Sequence, residues 1–363
     1  MVIEFLRPWC WSCLLLGCGA AQDTGSAPPA RVATSAPAAS TPVEPVTAPV
    51  ARQATSITPS LPPLEELLAS LPPASSSTSL GSPTNGRLEG GVPLPLVGPG
   101  FRYNDRRSRE ARYGTVEVVR AIARAASSVL REHPDSELVV NDVGLAGGGR
   151  ISHHGSHRAG RDADILFYLR DDAGQPMPPV GAPLDPDGIG FDYKDLSVAD
   201  DDVRVHFDAE RTWRLVEALV SDDESPVQRI FVVEHLRAKL LAEAERSHTS
   251  SAVLARFADV TCQPAYPHDD HLHVRWFCSA EDVRAGCEDA IPVYPWRIAQ
   301  LAAEGVAPVI AKKARSEDPA PVVTQEAAAK AVHKAGPNAA VLAFLKRRKA
   351  WEKQPHPGRP YCR

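Results

Sequence analysis

From Ala20 to about Gly100 the chain repeats proline with alanine, serine, threonine and valine, as in Ala36-Pro37-Ala38-Ala39-Ser40-Thr41-Pro42. Such a stretch has too little large apolar surface to offset the entropy of ordering it, and its prolines favour extended, polyproline-like backbone. A packed core therefore has to come from the residues beyond it. The 363-residue chain divides on this reading into a leader (1–18), a long disordered linker (19–99), a working domain (100–300) and an Ala/Lys/Pro-rich tail (301–363), part of it helical. One short helical piece, Leu64-Glu65-Glu66-Leu67-Leu68, lies within the linker.

In the working domain, Val116, Val118, Val119, Ile122, Ala126, Val129 and Leu130 recur at helical spacing, and the pattern stops at His133-Pro134. Leu138 to Val140 reads as a short buried strand, Gly144 to Gly149 as a glycine-rich loop and Ala163 to Leu169 as a strand. Asp208 is placed to cap a helix carrying Trp213, Leu215, Val216 and Leu219. Val227 to Val233 and Leu272 to Phe277 read as strands, and Leu236 to Ala244 as a helix. Strands and helices do not alternate strictly, so the expected class is α+β, a small, mainly antiparallel sheet with flanking helices. In the tail, Glu326 to Lys353 is a candidate helix without a clear apolar stripe.

A formal net charge of −5 argues against nucleic acid as a partner, since phosphate binding leaves a basic footprint. The run Lys346-Arg347-Arg348-Lys349 reads as a solvated helix face. The seven cysteines fall at both ends. No recurring CxxC has the spacing of a zinc finger, and Cys10-Trp-Ser-Cys13 lies in an apolar leader. Cys262, Cys278, Cys287 and Cys362 are disulfide candidates, which presupposes an oxidising compartment. Cys278 and Cys287 are close enough to close a small loop. Arg7 precedes a short apolar stretch, too short to span a bilayer, that resembles a secretory signal. Leu15-Leu16-Gly17-Cys18 is similar to the lipobox of bacterial lipoproteins, which implies acylation at Cys18.

Two histidine clusters carry the chemistry. The first runs Ser152-His153-His154-Gly155-Ser156-His157-Arg158-Ala159-Gly160-Arg161-Asp162-Ala163-Asp164, the second His268-Asp269-Asp270-His271-Leu272-His273. A catalytic zinc takes three protein ligands and keeps a fourth position open. A loop histidine, a carboxylate on the next strand and a histidine on a distant strand can supply that set. Alternation along the second strand turns His271, His273 and Arg275 to one face and Leu272, Val274 and Trp276 to the other. The same logic turns Asp162 and Asp164 to one side. Asp164, deeper in the strand, suits a ligand, while Asp162 is placed to orient a histidine from behind. His206, with Asp201 and Asp202, is a weaker cluster better read as a surface histidine. There is no GxSxG elbow, no SxxK and no HExxH, so serine schemes and a glutamate base on a zinc-binding helix find no support.

These two runs, from Gly148-Gly149-Arg150 to Ile165 and from His268 to Arg275, resemble the metal motifs of penicillin-insensitive murein endopeptidases. That group is related to lysostaphin-type and D-Ala-D-Ala peptidases and to hedgehog domains. The resemblance extends from about Tyr113 to about Asp289. It implies that His157, Asp164 and His273 ligate Zn2+, that His154 completes the site or holds a second metal, and that His271 and His268 line it without being permanent ligands. Arg158 and Arg161 stand where the family pattern usually has Gln and Leu.

The mechanism expected from this is amide hydrolysis by a zinc-activated water. His271 acts as general base and then acid, and a protonated His268 stabilises the oxyanion. The substrate implied is the peptide cross-link of peptidoglycan, the D-alanyl–diaminopimelate bond, in the periplasm or cell envelope, with a lipid on Cys18 as an outer-membrane anchor. Two readings compete: a carboxypeptidase or dipeptidase acting on terminal D-alanine, and a non-catalytic peptidoglycan-binding lipoprotein.

Overall fold

The computed structural model describes residues 62–312, 336–352 and 362, all within the unit Thr58–Arg363. The leader with Cys10, Cys13 and Cys18, linker residues 19–61 and the start of the candidate tail helix lie outside the described residues.

Helix α1 (Leu64–Ser70) leads into a hairpin of β1 (Thr78–Ser82) and β2 (Asn85–Glu89). Short strands β3 (Val92–Pro93), β4 (Val97–Gly98), β5 (Phe101–Tyr103) and β6 (Tyr113–Gly114) precede helix α2 (Val116–Glu132). Next come β7 (Leu138–Val140), β8 (Asp162–Leu166) and a side sheet of β9 (Leu169–Arg170), β10 (Pro176–Met177), β11 (Ile189–Phe191) and β12 (Arg204–Phe207). The chain continues through α3 (Ala209–Val220), β13 (Val227–Phe231), α4 (Glu234–Arg246), α5 (Ser251–Val260), β14 (Thr261–Cys262) and β15 (His271–Trp276). Helices α6 (Ala280–Ala285), α7 (Pro295–Ala303) and α8 (Ala339–Arg348) complete the described elements.

The central sheet runs β14-β13-β15-β8-β7-β5-β4. It is antiparallel except where β13 meets β14 and β5 meets β7. The α+β class, with a mainly antiparallel sheet and flanking helices, is therefore what the chain adopts. Helix α2 begins where the Thr115 hydroxyl accepts from Val118 N at 3.5 Å. It ends where His133 N donates to Val129 O at 2.8 Å, next to a proline that cannot continue it. Its buried stripe of Val116, Val119, Ile122, Ala126 and Val129 contributes roughly 1.5–3 kcal/mol for each large aliphatic side chain. Helix α3 is capped by Asp208, which accepts from Arg211 N at 3.1 Å. It sets Trp213 edge-on to Phe257 of α5, ring centroids 5.1 Å apart. Helix α5 is invisible to periodicity because only Phe257 and Val260 of its ten residues are buried.

Two boundaries differ from expectation. The segment read as linker up to residue 99 is built into the domain from α1 onward: Leu67, Leu88 and Leu94 are buried. Its reach is set by close approach rather than by hydrophobic run length. Gly148 (φ 70°) lies so near β2 that a Cβ there would meet Leu88 N at 2.6 Å and Arg87 Cα at 2.8 Å, and Arg87 bridges to Gly148. The tail departs too. Helix α8 is shorter than the candidate and does present a stripe, with Val341 and Phe344 buried and Arg348 and Trp351 continuing the same face. In the basic run Lys346, Arg347 and Lys349 are exposed as expected, whereas Arg348 turns inward onto Asp269.

Among the described residues both disulfides come from the late cysteines. Cys278–Cys287 closes the small loop its spacing suggested, and Cys262–Cys362 ties the C-terminal end to β14. No helix among the described residues is long and apolar enough to cross a membrane.

Candidate metal centre

Strand pairing builds the site. Across β15 and β8, His273 stands opposite Asp164 and Arg275 opposite Asp162, while Leu272 pairs with Ile165 and Val274 with Ala163. The last four fill the core with no exposed surface. The wet face and the dry face are therefore divided as the alternation predicts.

Asp164 is the hub. Its Oδ1 lies 3.3 Å from His157 Nε2, 3.1 Å from His273 Nδ1 and 3.4 Å from His271 Nε2, and its Oδ2 lies 3.5 Å from His154 Nδ1. Behind each ring a fixed acceptor holds the other nitrogen. His157 Nδ1 donates to Val143 O at 3.0 Å, and His154 Nε2 is 2.9 Å from Asp142. His273 Nε2 is 2.9 Å from Asp162 Oδ1, and His271 Nδ1 is 2.8 Å from Asp270. His157 Nε2 and Asp164 Oδ1 are buried, and neither makes a well-formed hydrogen bond. Donor atoms of His154, His157 and Asp164 fall within 4.8 Å of one another, close enough to share a metal ion.

Charge follows geometry. Burial alone would depress His157, but the facing Asp164 carboxylate raises it to about 9. Burial would raise Asp164, yet His157 and His271 hold it well below the carboxylate range. Asp162 is likewise pushed up by burial and brought far down by Arg275, whose Nε donates at 2.7 Å, and by His273. His271, penalised by burial, is carried well above the imidazole range by Asp270 and Asp164. His268 goes the other way: desolvation and the neighbouring His271 and His273 pull it down. Its Nδ1 donates to Tyr266 O at 2.9 Å.

Three site histidines, His153, His157 and His268, take φ between 53° and 67°. Left-handed backbone costs a non-glycine residue ~1–2 kcal/mol, and such strain collects at functional sites. The surrounding cleft has a volume of about 770 Å³ and is bordered by Arg107, Asn141, Ser152, Phe231 and Tyr266.

All seven residues singled out for the site meet here: His154, His157, Asp162, Asp164, His271 and His273 around the hub, and His268 stacked on Phe231 at 5.7 Å at the rim. His206 does not join them; its Nε2 is 2.7 Å from the exposed Asp172, in keeping with a surface histidine. Sequence reasoning missed Asp142 and the orienting role of Asp270. Asp142 closes the β7 run just before the glycine loop, a position where a strand-end carboxylate can be suspected.

The family comparison agrees with the geometry. A family model described as penicillin-insensitive murein endopeptidase matches residues 79–297. The penicillin-insensitive murein endopeptidase of Haemophilus influenzae is 30% identical over 223 residues, 60% of this chain and 68% of that protein. Those of Klebsiella pneumoniae subsp. pneumoniae and Pectobacterium atrosepticum are 28% and 30% identical, covering 62% and 61% of this chain and 74% and 72% of theirs. With the matched segment spanning both histidine clusters and the strands that bring them together, the chain belongs to the penicillin-insensitive murein endopeptidase family.

Proposed function

We propose that this chain is a zinc-dependent murein endopeptidase that hydrolyses the peptide cross-links of peptidoglycan, at the D-alanyl–diaminopimelate bond. The observation that carries the reading is the paired use of each imidazole. His157, His273 and His154 each give one ring nitrogen to a carboxylate or carbonyl and turn the other towards Asp164. Metal-binding histidines are oriented in this way. In this reading His157, Asp164 and His273 hold the zinc, His154 completes the set, and Asp162 fixes His273. The unpartnered His157 Nε2 and Asp164 Oδ1 and the nitrogen–oxygen donor set fit that metal.

Zinc bound there supplies Lewis acidity towards water and the scissile carbonyl. The chain does the rest. His271, with Nδ1 fixed by Asp270 at 2.8 Å, serves as the acid–base group at Nε2 once the metal engages Asp164, one of the two carboxylates that hold its proton in the free site. It then accepts a proton from the attacking water and hands it to the leaving amine. His268, carrying a proton on Nε2, stabilises the oxyanion. A murein substrate puts the chain in the cell envelope, where two disulfides are at home. Acylation of Cys18 would tether it there.

The test is digestion of purified cross-linked muropeptides by the full chain, with and without added zinc, read by mass spectrometry. Zinc-dependent loss of dimers with matching monomers supports the proposal. Release of alanine alone points to a carboxypeptidase. A folded, metal-loaded chain that leaves the muropeptides unchanged points to a binding protein.

A further inference from the structure

The C-terminal helix reaches the loop that carries two of the site histidines. Asp269, between His268 and Asp270, is fully buried. Its carboxylate accepts from Arg348 Nε at 2.8 Å, from Arg348 Nη2 at 2.6 Å and from Trp351 Nε1 at 2.9 Å. Two parallel bonds from one guanidinium fix a carboxylate in position and in plane. Arg348 also lies over the Tyr266 ring at 5.3 Å, and Tyr266 O is the group that takes the His268 Nδ1 proton.

The support is broad. Gln263, which begins the same loop, donates to Trp351 O at 2.8 Å. The Trp351 ring packs edge-on against His235 and Phe344. Asn338 caps α8 and its N donates to Leu196 O at 2.6 Å. Cys362, further along, is joined to Cys262 one residue before Gln263 and borders the cleft. The loop so held contains His268 in left-handed backbone, a conformation that persists only where surroundings over-determine it. All of these tail contacts lie beyond residue 297, where the family match ends.

We propose that α8 and Trp351 form a strap that positions the catalytic loop, with Arg348 and Trp351 locking the Asp269 carboxylate and so holding His268 and the Asp270–His271 pair in register with Asp164. This rests on the endopeptidase reading for what the register serves. Arg348 and Trp351 neither border the cleft nor bond to the metal donors; they are positioning residues.

The experiment compares the full-length, zinc-loaded chain with its Arg348→Met and Arg348→Lys variants. It reads kcat and KM on a cross-linked muropeptide dimer, zinc content, and amide hydrogen exchange over residues 264–272. For Arg348→Met the expected result is a fall in kcat on the order of 10- to 100-fold with KM changed by no more than about twofold and zinc retained. Exchange in the loop should rise about 10-fold while α2 stays protected. Lysine at 348 should recover part of both. Unaltered loop exchange, or faster exchange with kcat intact, overturns the proposal. Should Arg348→Met fail to fold, Trp351→Phe removes one donor to Asp269 and is read in the same way. If the unsubstituted chain leaves the dimer uncut, the endopeptidase reading fails, and the exchange comparison still tests the strap.

Discussion

His273 gives its Nε2 to Asp162 Oδ1 at 2.9 Å, and that bond turns Nδ1 towards Asp164. The same Asp162 oxygen takes Arg275 Nε at 2.7 Å, and Asp162 Oδ2 accepts from His157 N at 3.2 Å. Asp162→Asn keeps the shape and removes the charge that sets this arrangement. Zinc affinity should fall roughly 10- to 100-fold, the usual cost of losing a partner behind a metal ligand. Competition with a chelator of known affinity measures it, and an unchanged dissociation constant would count against Asp162 as the orienting group.

In the proposed mechanism, His271 and Asp270 separate chemistry from metal binding. His271→Ala should retain zinc and lose about 10²- to 10⁴-fold in kcat, the range for a general acid–base group. Asp270→Asn, which leaves the ring present but weakens its orientation, should cost less. Zinc bound in full with activity untouched in His271→Ala would remove it from the mechanism.

Asp282 offers a pH test well away from the site. Burial and the nearby Glu117 raise its carboxyl to about 7, while Ser79 N donates to its Oδ1 at 3.0 Å. The folded state thus holds a proton that the unfolded chain, near pKa 3.9, gives up earlier. The stabilising contribution is complete below about pH 4 and is lost as pH rises through about 7. Asp282→Asn keeps the acceptor and abolishes the titration. The variant should gain on the unsubstituted chain between pH 6 and 8.5 in urea unfolding, and a constant difference across that range would refute the assignment.

Arg161 has a structural role. Its guanidinium donates to Ser79 Oγ, Trp276 O, Asp289 Oδ1 and Glu288 O, all between 2.9 and 3.0 Å. Arg161→Leu leaves Asp289, itself fully buried, without its countercharge. Removing one partner of such a pair costs about 3–5 kcal/mol. Equilibrium denaturation should register a loss of that order, and Arg161→Leu with Asp289→Asn should recover part of it.

Much of this was legible in the chain because it depends on short-range rules. The period of α2, its stop at His133-Pro134, the Asp208 cap and the two-faced β15 all follow from local pattern. The histidine clusters were legible because alternation alone puts His271 and His273 on one face. What could not be read depends on contacts distant in sequence. The β1–β2 hairpin looks like linker until Gly148 is seen pressed against it, and Arg348 looks solvated until Asp269 is found beneath it. Asp142 carries no motif; only the fold brings it behind His154.

At His157 and His268, left-handed backbone means that folding and the proposed chemistry ask for different residues. Glycine would occupy 153, 157 and 268 with less conformational strain than imidazole does. The most heat-resistant version of this architecture would therefore have begun to lose its imidazoles. A library selected for thermal survival alone should shed the exposed His153 first and part with the buried His157 last, since Val143 O would be left without its donor.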